Sequence, residues 1–302
     1  MRKVGVIRGG AGGGYDLSLR EGGDVILHIL ENLSERWKPV DIFIDKEGTW
    51  HLGGVKVEPA ALMHKVDIVW NTSHPSVASM VESMSVPCVS ASSFASAMSR
   101  NSESLDTHVR DIGLKSSKKI VLPLYQEDFD GDIATYASRK AKDIHRKFPA
   151  PWVVKTYTED ENMGIHLAKT FPELVRAIED GVHHGKSILV EEFISGKVSS
   201  VHSVGGYRGD DVYVFPPANF SAGFNREEKQ TLIRAAKDLH SHLGVKHYLR
   251  SDFVVHPKKG IFLTGLSLHP HLKPGSPLDQ ACESVGAKMH HVVEHILERA
   301  LK

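Results

Sequence analysis

Three short stretches put charged groups where chemistry could use them. In Trp152-Val153-Val154-Lys155 an apolar run ends on a lysine, and a buried strand that ends this way must aim its ammonium somewhere definite. Leu189-Val190-Glu191-Glu192-Phe193-Ile194-Ser195-Gly196 ends a second apolar run on two carboxylates. These are either a binding edge or edge-strand charges that blunt pairing. In Arg250-Ser251-Asp252-Phe253 the arginine and the aspartate occupy alternate positions. On a strand they share a face and serve either a site or a structural ion pair. Lysine and arginine neutralise anionic groups, and a carboxylate is the usual protein ligand of a hard divalent cation.

A fourth stretch is rich in glycine. Gly9-Gly10-Ala11-Gly12-Gly13-Gly14 follows a strand and precedes a helix, where a phosphate or carboxylate could meet backbone N–H groups. Asp45, closing the second strand, could imitate a ribose-binding acid. The G-x-G-x-x-G spacing fails in every frame, since counting from Gly10 puts Tyr15 at the sixth position. The plainer reading is a tight turn that needs small residues. His269 and His271 in a late loop could bind a softer metal or stand solvated, and the 19 histidines form no H-E-x-x-H pattern.

The elements that must carry these groups can be read from apolar periodicity. Val4–Ile7, Val40–Ile44, Asp67–Trp70 and Val86–Val89 read as buried strands. They alternate with helical patterns, which implies a parallel, doubly wound sheet. Ser18-Leu19-Arg20-Glu21 reads as a capping box, with Val25, Ile26, Ile29, Leu30 and Leu33 following at helical spacing. Residues 91–101, rich in Ser and Ala, read as a linker. Helices are expected near Leu105–Ile112, Ile133–Phe148, Pro172–Gly181 and Arg226–Leu243. Strands are expected at Trp152–Lys155, Ile188–Glu192, Asp252–Val255 and Ile261–Leu263, with Ser199–Val204 and Val212–Phe215 antiparallel. Met289, Val292, Val293, Ile296 and Leu301 form the buried stripe of a final helix.

Composition removes several classes. The chain has 302 residues, 41% of them hydrophobic, enough for two or three lobes. Lys+Arg and Asp+Glu are both 37, so no charge excess points to nucleic acid or a membrane surface. No apolar run is long enough to cross a membrane, and the N-terminus enters a strand without a signal-peptide core, so a cytoplasmic protein is expected. The two cysteines, Cys88 and Cys282, are too few and too distant for a disulfide framework and read as buried structural residues.

Taken in order, several segments resemble the D-alanine–D-alanine ligases of the ATP-grasp superfamily. They are Val4-Gly5-Val6-Ile7-Arg8-Gly9-Gly10, Leu17-Ser18-Leu19, Trp152–Lys155, Leu189–Gly196, Arg250–Phe253 and Pro270 through Ser276. The likeness runs from Val4 to the final helix. It implies an α/β chain: an N-terminal doubly wound parallel-sheet domain (1–95), followed by a two-lobed ATP-grasp module of α+β type. The central lobe would span 96–186 and the C-terminal lobe 187–302, with ATP between them. It further implies ATP and Mg2+ as cofactors, D-alanine or a similar small molecule as substrate, and a homodimer through the first domain. Ligation would run through an acyl phosphate.

Carried onto matching positions, the resemblance gives each residue a role. Lys155 would neutralise ATP phosphates, and Arg100 would stand for a second phosphate-binding lysine. Glu191, Glu192, Phe193 and Ile194 would form the hinge that holds adenine. Arg250 would steady the transferring phosphoryl group, Asp252 would bind magnesium, and Ser276 would meet the substrate carboxylate. Ser276 could equally cap the helix that follows.

The departures are as specific. The acid that holds the first substrate's amino group aligns with Gly14. The phosphate-covering loop aligns with Asp160-Glu161-Asn162, whose carboxylates repel phosphate where Ser and Gly would donate to it. The ribose-binding acid aligns with Val198, and two metal ligands align with Gly265 and Ser267. Pro216-Pro217 runs almost directly toward the helix near Arg226, leaving a shorter lid. The main expectation is a D-alanine–D-alanine ligase-like enzyme. The alternative is a catalytically degenerate protein that keeps the fold for binding or regulation.

Overall fold

The apolar strand Arg2–Gly9 is buried along its centre, with Val4, Val6 and Ile7 wholly inaccessible. In this computed structural model the described residues are 1–11, 14–100, 102–157, 163–185, 187–219 and 223–302. They divide into two compact units, one made of Met1–Leu114 with Lys197–Lys302, the other of Lys115–Gly196.

In the first unit Arg2–Gly9 pairs in parallel with Trp37–Ile44 on one side and Ile68–Asn71 on the other. Cys88–Val89 continues the parallel order beyond Ile68–Asn71, and two short antiparallel strands extend the opposite edge. The helix Tyr15–Asn32 turns Val25 and Ile29 inward. They share a core with Val4, Val6, Ile68 and Trp70, and with Val292, Val293, Ile296 and Leu297 of the last helix, Met289–Ala300. The start and the end of the chain therefore bury one hydrophobic cluster together.

The expected capping box is not formed. The helix begins at Tyr15, with Gly14 as its N-cap at φ 106°. Ser18 is buried inside the helix, where its Oγ accepts the Gly9 N–H at 2.9 Å and lies 3.3 Å from Thr72 Oγ1. A buried strand-end donor has no water to turn to, so it takes the hydroxyl that the local pattern assigned to a cap. The expected linker is also replaced, by the helix Ser93–Arg100, because Ala95 and Met98 fall on one face and bury.

A second sheet in this unit is antiparallel. Lys197–Gly205 pairs with Tyr248–His256, which pairs with Gly260–Ser267, and Val212–Val214 lies on the outer edge. One face turns Val201, Leu249, Phe253 and Leu263 onto Leu232, Ala236 and Leu239 of the helix Arg226–His242. That helix starts at a complete capping box between Asn225 and Glu228. The other face of the sheet is polar and is described below.

The second unit has four antiparallel strands in the order Ile165–Ala168, Trp152–Thr156, Ile188–Glu192, Lys119–Leu122. Strict alternation buries Trp152, Val154 and Thr156 and turns Val153 and Lys155 outward. The helices Ile133–Lys147 and Phe171–His183 cover the buried face through Tyr136, Ala137, Ile144, Leu174 and Ile178.

Among the described residues no helix is long and apolar enough to cross a membrane. Burial pushes both thiols, Cys88 and Cys282, up to about 12, consistent with structural rather than reactive cysteines.

Candidate functional site

The candidate residues gather in two patches, one on each unit. On the Lys115–Gly196 unit, the open face of the sheet carries Lys155, Glu191 and Lys119. Glu191 stands opposite both Val153 and Lys119 in register, which places it on Lys155's face of the sheet. Its carboxylate is nearly enclosed, with Lys155 Nζ 3.0 Å from Oε2 and Lys119 Nζ 3.0 Å from Oε1. The strand Ile188–Glu192 is central, so Glu191 does not blunt an edge. Lys155 is the more exposed of the two lysines, at 35% against 15% for Lys119. Exposed Val121, Ile165 and Leu167 flank this charged group on the same face.

The residues after Glu191 run along the strand's end. Glu192 completes the pairing through its own N–H, which donates to the Lys118 carbonyl at 2.8 Å. Phe193 N–H donates to the Pro151 carbonyl at 3.1 Å, while its ring is exposed. Ile194 is half-buried. This face can take a flat apolar group beside an anionic one: apolar side chains give it area, and the ammonium groups of Lys155 and Lys119 offer positive charge.

On the other unit, the polar face of the antiparallel sheet brings together Ser200, His202, Tyr248, Arg250, Asp252, Gly265 and Ser267. The register pairs His202 with Arg250 and Ser200 with Asp252 on one side, and Arg250 with Ser267 and Asp252 with Gly265 on the other. Arg250 Nε is 3.3 Å from Asp252 Oδ2, close enough for an ion pair but too poorly aligned for a hydrogen bond. The other Asp252 oxygen accepts from Ser200 Oγ. Ser267 Oγ donates to the His269 carbonyl at 3.1 Å. His202 Nδ1 meets Tyr248 Oη at 2.7 Å, and both residues are buried.

The magnesium expectation can be tested on this geometry. Both oxygens of Asp252 face protein partners, and the positions across from Asp252 and Arg250 are a glycine and a serine whose hydroxyl is engaged. Octahedral magnesium wants oxygen ligands with at least one free carboxylate. The residues present do not fit a resident two-ion clamp.

Ser276 caps the short helix Pro277–Glu283: its Oγ accepts the Asp279 N–H at 3.3 Å and donates to the His271 carbonyl at 3.0 Å. Arg100 ends a helix, but its side chain lies outside the described residues, as do Asp160, Glu161 and Asn162. Of the glycine turn, Gly12 and Gly13 also lie outside them. Gly9 and Gly10 spend their N–H groups on Ser18 Oγ and the Ile44 carbonyl, so neither presents a donor to an anion. A Cβ on Gly9 would come within 2.2 Å of the Ile44 oxygen at a φ of 85°, which makes this the tight turn. Asp45 is likewise structural, accepting the Thr49 N–H at 2.7 Å and pairing with His51 at 3.0 Å. Val198 is exposed.

Lys119, Ser200, His202 and Tyr248 escaped the sequence reading. A faint signal existed, since Tyr248, Arg250 and Asp252 are alternate residues of one run, as are Ser200 and His202. Only the pairing of the strands makes them one surface.

Burial, then Arg250 and His271, push the His202 imidazole down to about 3. Burial also pushes His240 and His247 down to about 4. All three are neutral in the fold and titrate near about 6.5 in an unfolded chain. The unfolded state therefore binds more protons between those values. This stability is complete above about pH 6.5 and drains away as pH falls toward 4. Urea unfolding should show a clearly lower midpoint at pH 5 than at pH 7.5, with His247→Gln shrinking the difference by about a third. Equal stability at the two pH values would contradict neutral burial.

No known family profile matches the chain. Curated proteins do. It is 23% identical over 321 residues to the D-alanine–D-alanine ligase of Geotalea uraniireducens, covering 99% of this chain and 96% of that protein. It is 23% identical over 325 residues to the enzyme of the same name from Desulforudis audaxviator, covering 99% of each. Among solved structures, D-alanyl-alanine synthetase A from Vibrio cholerae superposes with a TM-score of 0.73 at 16% identity, covering 99% of this chain and 98% of that one. D-alanine–D-alanine ligase from Bacillus anthracis, complexed with ATP, gives 0.69 at 16% identity, covering 100% and 97%. The fold is that of the ATP-grasp ligases. Within that class, the chain is a divergent relative of the D-alanine–D-alanine ligases, similar to them from one end to the other.

Proposed function

We propose that the protein is an ATP-dependent carboxylate–amine ligase of the D-alanine–D-alanine type, acting in the cytoplasm on D-alanine or a similar small amino acid. The observation that carries this reading is the end-to-end similarity, 99% of the chain against nearly whole relatives. The division at 95 and 186 into an N-terminal domain and two lobes belongs to the same proposal, as does pairing with a second copy.

In this reading the open face of the Lys115–Gly196 sheet binds the nucleotide. Val121, Ile165 and Leu167 offer apolar area for the base, and Lys155 and Lys119 offset phosphate charge. One substrate's carboxylate oxygen attacks the terminal phosphorus and ADP leaves. The second substrate's amine then attacks the acyl-phosphate carbon. Inorganic phosphate departs and the amine's surplus proton passes to solvent. Arg250 stabilises charge on the phosphoryl group, with Asp252 fixing the guanidinium.

The test is D-amino-acid-dependent ADP release in the presence of ATP and Mg2+, with the dipeptide identified by mass spectrometry. The expected result is turnover that needs a D-amino acid and is lost in Arg250→Ala. Nucleotide binding without any ADP release would overturn the ligase reading. It would favour a protein that binds without catalysis, a reading already motivated by Gly265 and Ser267 facing Asp252 and Arg250.

A further inference from the structure

Three metal-ligating side chains converge within the first unit. His108 and Asp111 lie one turn apart on the helix Ser102–Asp111, and His242 is the last residue of the helix Arg226–His242. One donor atom from each lies within 4.8 Å of the other two. We propose that His108, Asp111 and His242 form a binding site for a divalent transition ion, with Zn2+ the best match.

The geometry is specific. His108 Nδ1 and His242 Nε2 are 3.4 Å apart. Two imidazole nitrogens bound at about 2.0–2.1 Å to one tetrahedral ion stand about 3.4 Å apart. The nitrogens already have that separation. Asp111 is exposed, so its carboxylate can close the third position without strain on the core.

The backbone is also fixed. Leu105 and Val109 of one helix, and Leu239 with the adjoining Leu243 of the other, bury in one cluster. The Phe94 ring meets His108 at right angles, with centroids 5.1 Å apart, and restricts its rotation. Such support is what a ligand set needs to be ready before the ion arrives.

Two imidazoles and one carboxylate select zinc, cobalt or nickel. Magnesium, which prefers oxygen alone, is a poor match. Three protein ligands leave a position for water. The ion would tie two helices whose ligands are 134 residues apart in sequence. The competing account of the 3.4 Å contact is an N–H···N hydrogen bond between the two histidines, which would hold no metal.

Full-length, tag-free, chelator-treated protein would be titrated with Zn2+ by calorimetry and with Co2+ by visible absorption, and melted with Zn2+ or Mg2+ present. We expect one equivalent of Zn2+ bound at micromolar affinity and Co2+ bands of a four- or five-coordinate site. We also expect a rise in melting temperature of about 3 °C or more with zinc and none with magnesium. His242→Ala and Asp111→Asn should each weaken Zn2+ binding at least about tenfold. Asp111 is exposed, so its variant keeps the test decisive if His242→Ala fails to fold. No saturable binding, or affinity unchanged in Asp111→Asn, would overturn the proposal, the latter placing the ion on other histidines.

Discussion

Glu191→Gln is expected to destabilise the Lys115–Gly196 unit by about 3 kcal/mol, whereas Lys155→Ala leaves it folded and removes nucleotide-dependent turnover by about 100-fold or more. Glu191 is shared by two ammonium groups, each 3.0 Å away, in a place where its side chain is only 11% exposed. Neutralising it removes the carboxylate that separates Lys119, itself 15% exposed, from a second cation, Lys155. Losing one partner of a largely desolvated pair costs more than the pair contributes when intact. Removing Lys155 is different, because Glu191 keeps Lys119 and the lost ammonium was already partly in water. Urea unfolding and hydrogen exchange in the strand Trp152–Thr156 measure the first effect. ADP release measures the second. The companion change Lys119→Met should recover much of the stability lost in Glu191→Gln, since the two effects share one contact. A Glu191→Gln protein as stable as the parent would show that the carboxylate is not in a desolvated pair. Full turnover in Lys155→Ala would remove that lysine from the proposed nucleotide path.

Building Gly265→Glu together with Ser267→Asn is expected to raise Mg2+-dependent nucleotide affinity by at least about tenfold, or about 1.4 kcal/mol. Register places residue 265 opposite Asp252 and residue 267 opposite Arg250. A Cβ at 265 would lie 3.0 Å from Asp252 Oδ2, tight enough that the aspartate must shift by a few tenths of an ångström. Two carboxylates so placed repel one another by about 3 kcal/mol at ~5 Å and an effective dielectric of about 20. Without a divalent ion the double variant should thus be less stable than the parent, and Mg2+ should restore it. The same pair of changes with Asp252→Ala should cancel the gain. Calorimetric titration of nucleotide across a Mg2+ series reads the effect. Flat affinity in a folded double variant would mean that this strand pair is not where a metal ligand set was lost.

Much of the architecture was legible because it depends on local period. Apolar runs of the right length gave the strands Arg2–Gly9, Trp152–Thr156 and Ile188–Glu192, and the 3.6-residue stripe gave the helix Arg226–His242. Ser18 and the segment near Ser93 were misread for the opposite reason. A hydroxyl that local pattern offers to its own helix was claimed by the Gly9 N–H across the core, and small residues read as a linker packed as a helix face.

The candidate residues divide in the same way. Sequence alone determined that Lys155 ends an apolar strand, that Arg250 and Asp252 share a face, and that Gly265 and Ser267 carry no carboxylate. Strand pairing decided the rest. It set Lys119 beside Glu191 across a 72-residue gap in sequence order (residues 119 and 191), and brought Ser200 to Asp252 and His202 to Tyr248. It also set His108 against His242 from two distant helices. Alternation along a strand fixes which way a side chain points, and that is local. Which strand or helix lies alongside is set by long-range burial of apolar faces, and no window of sequence contains both partners.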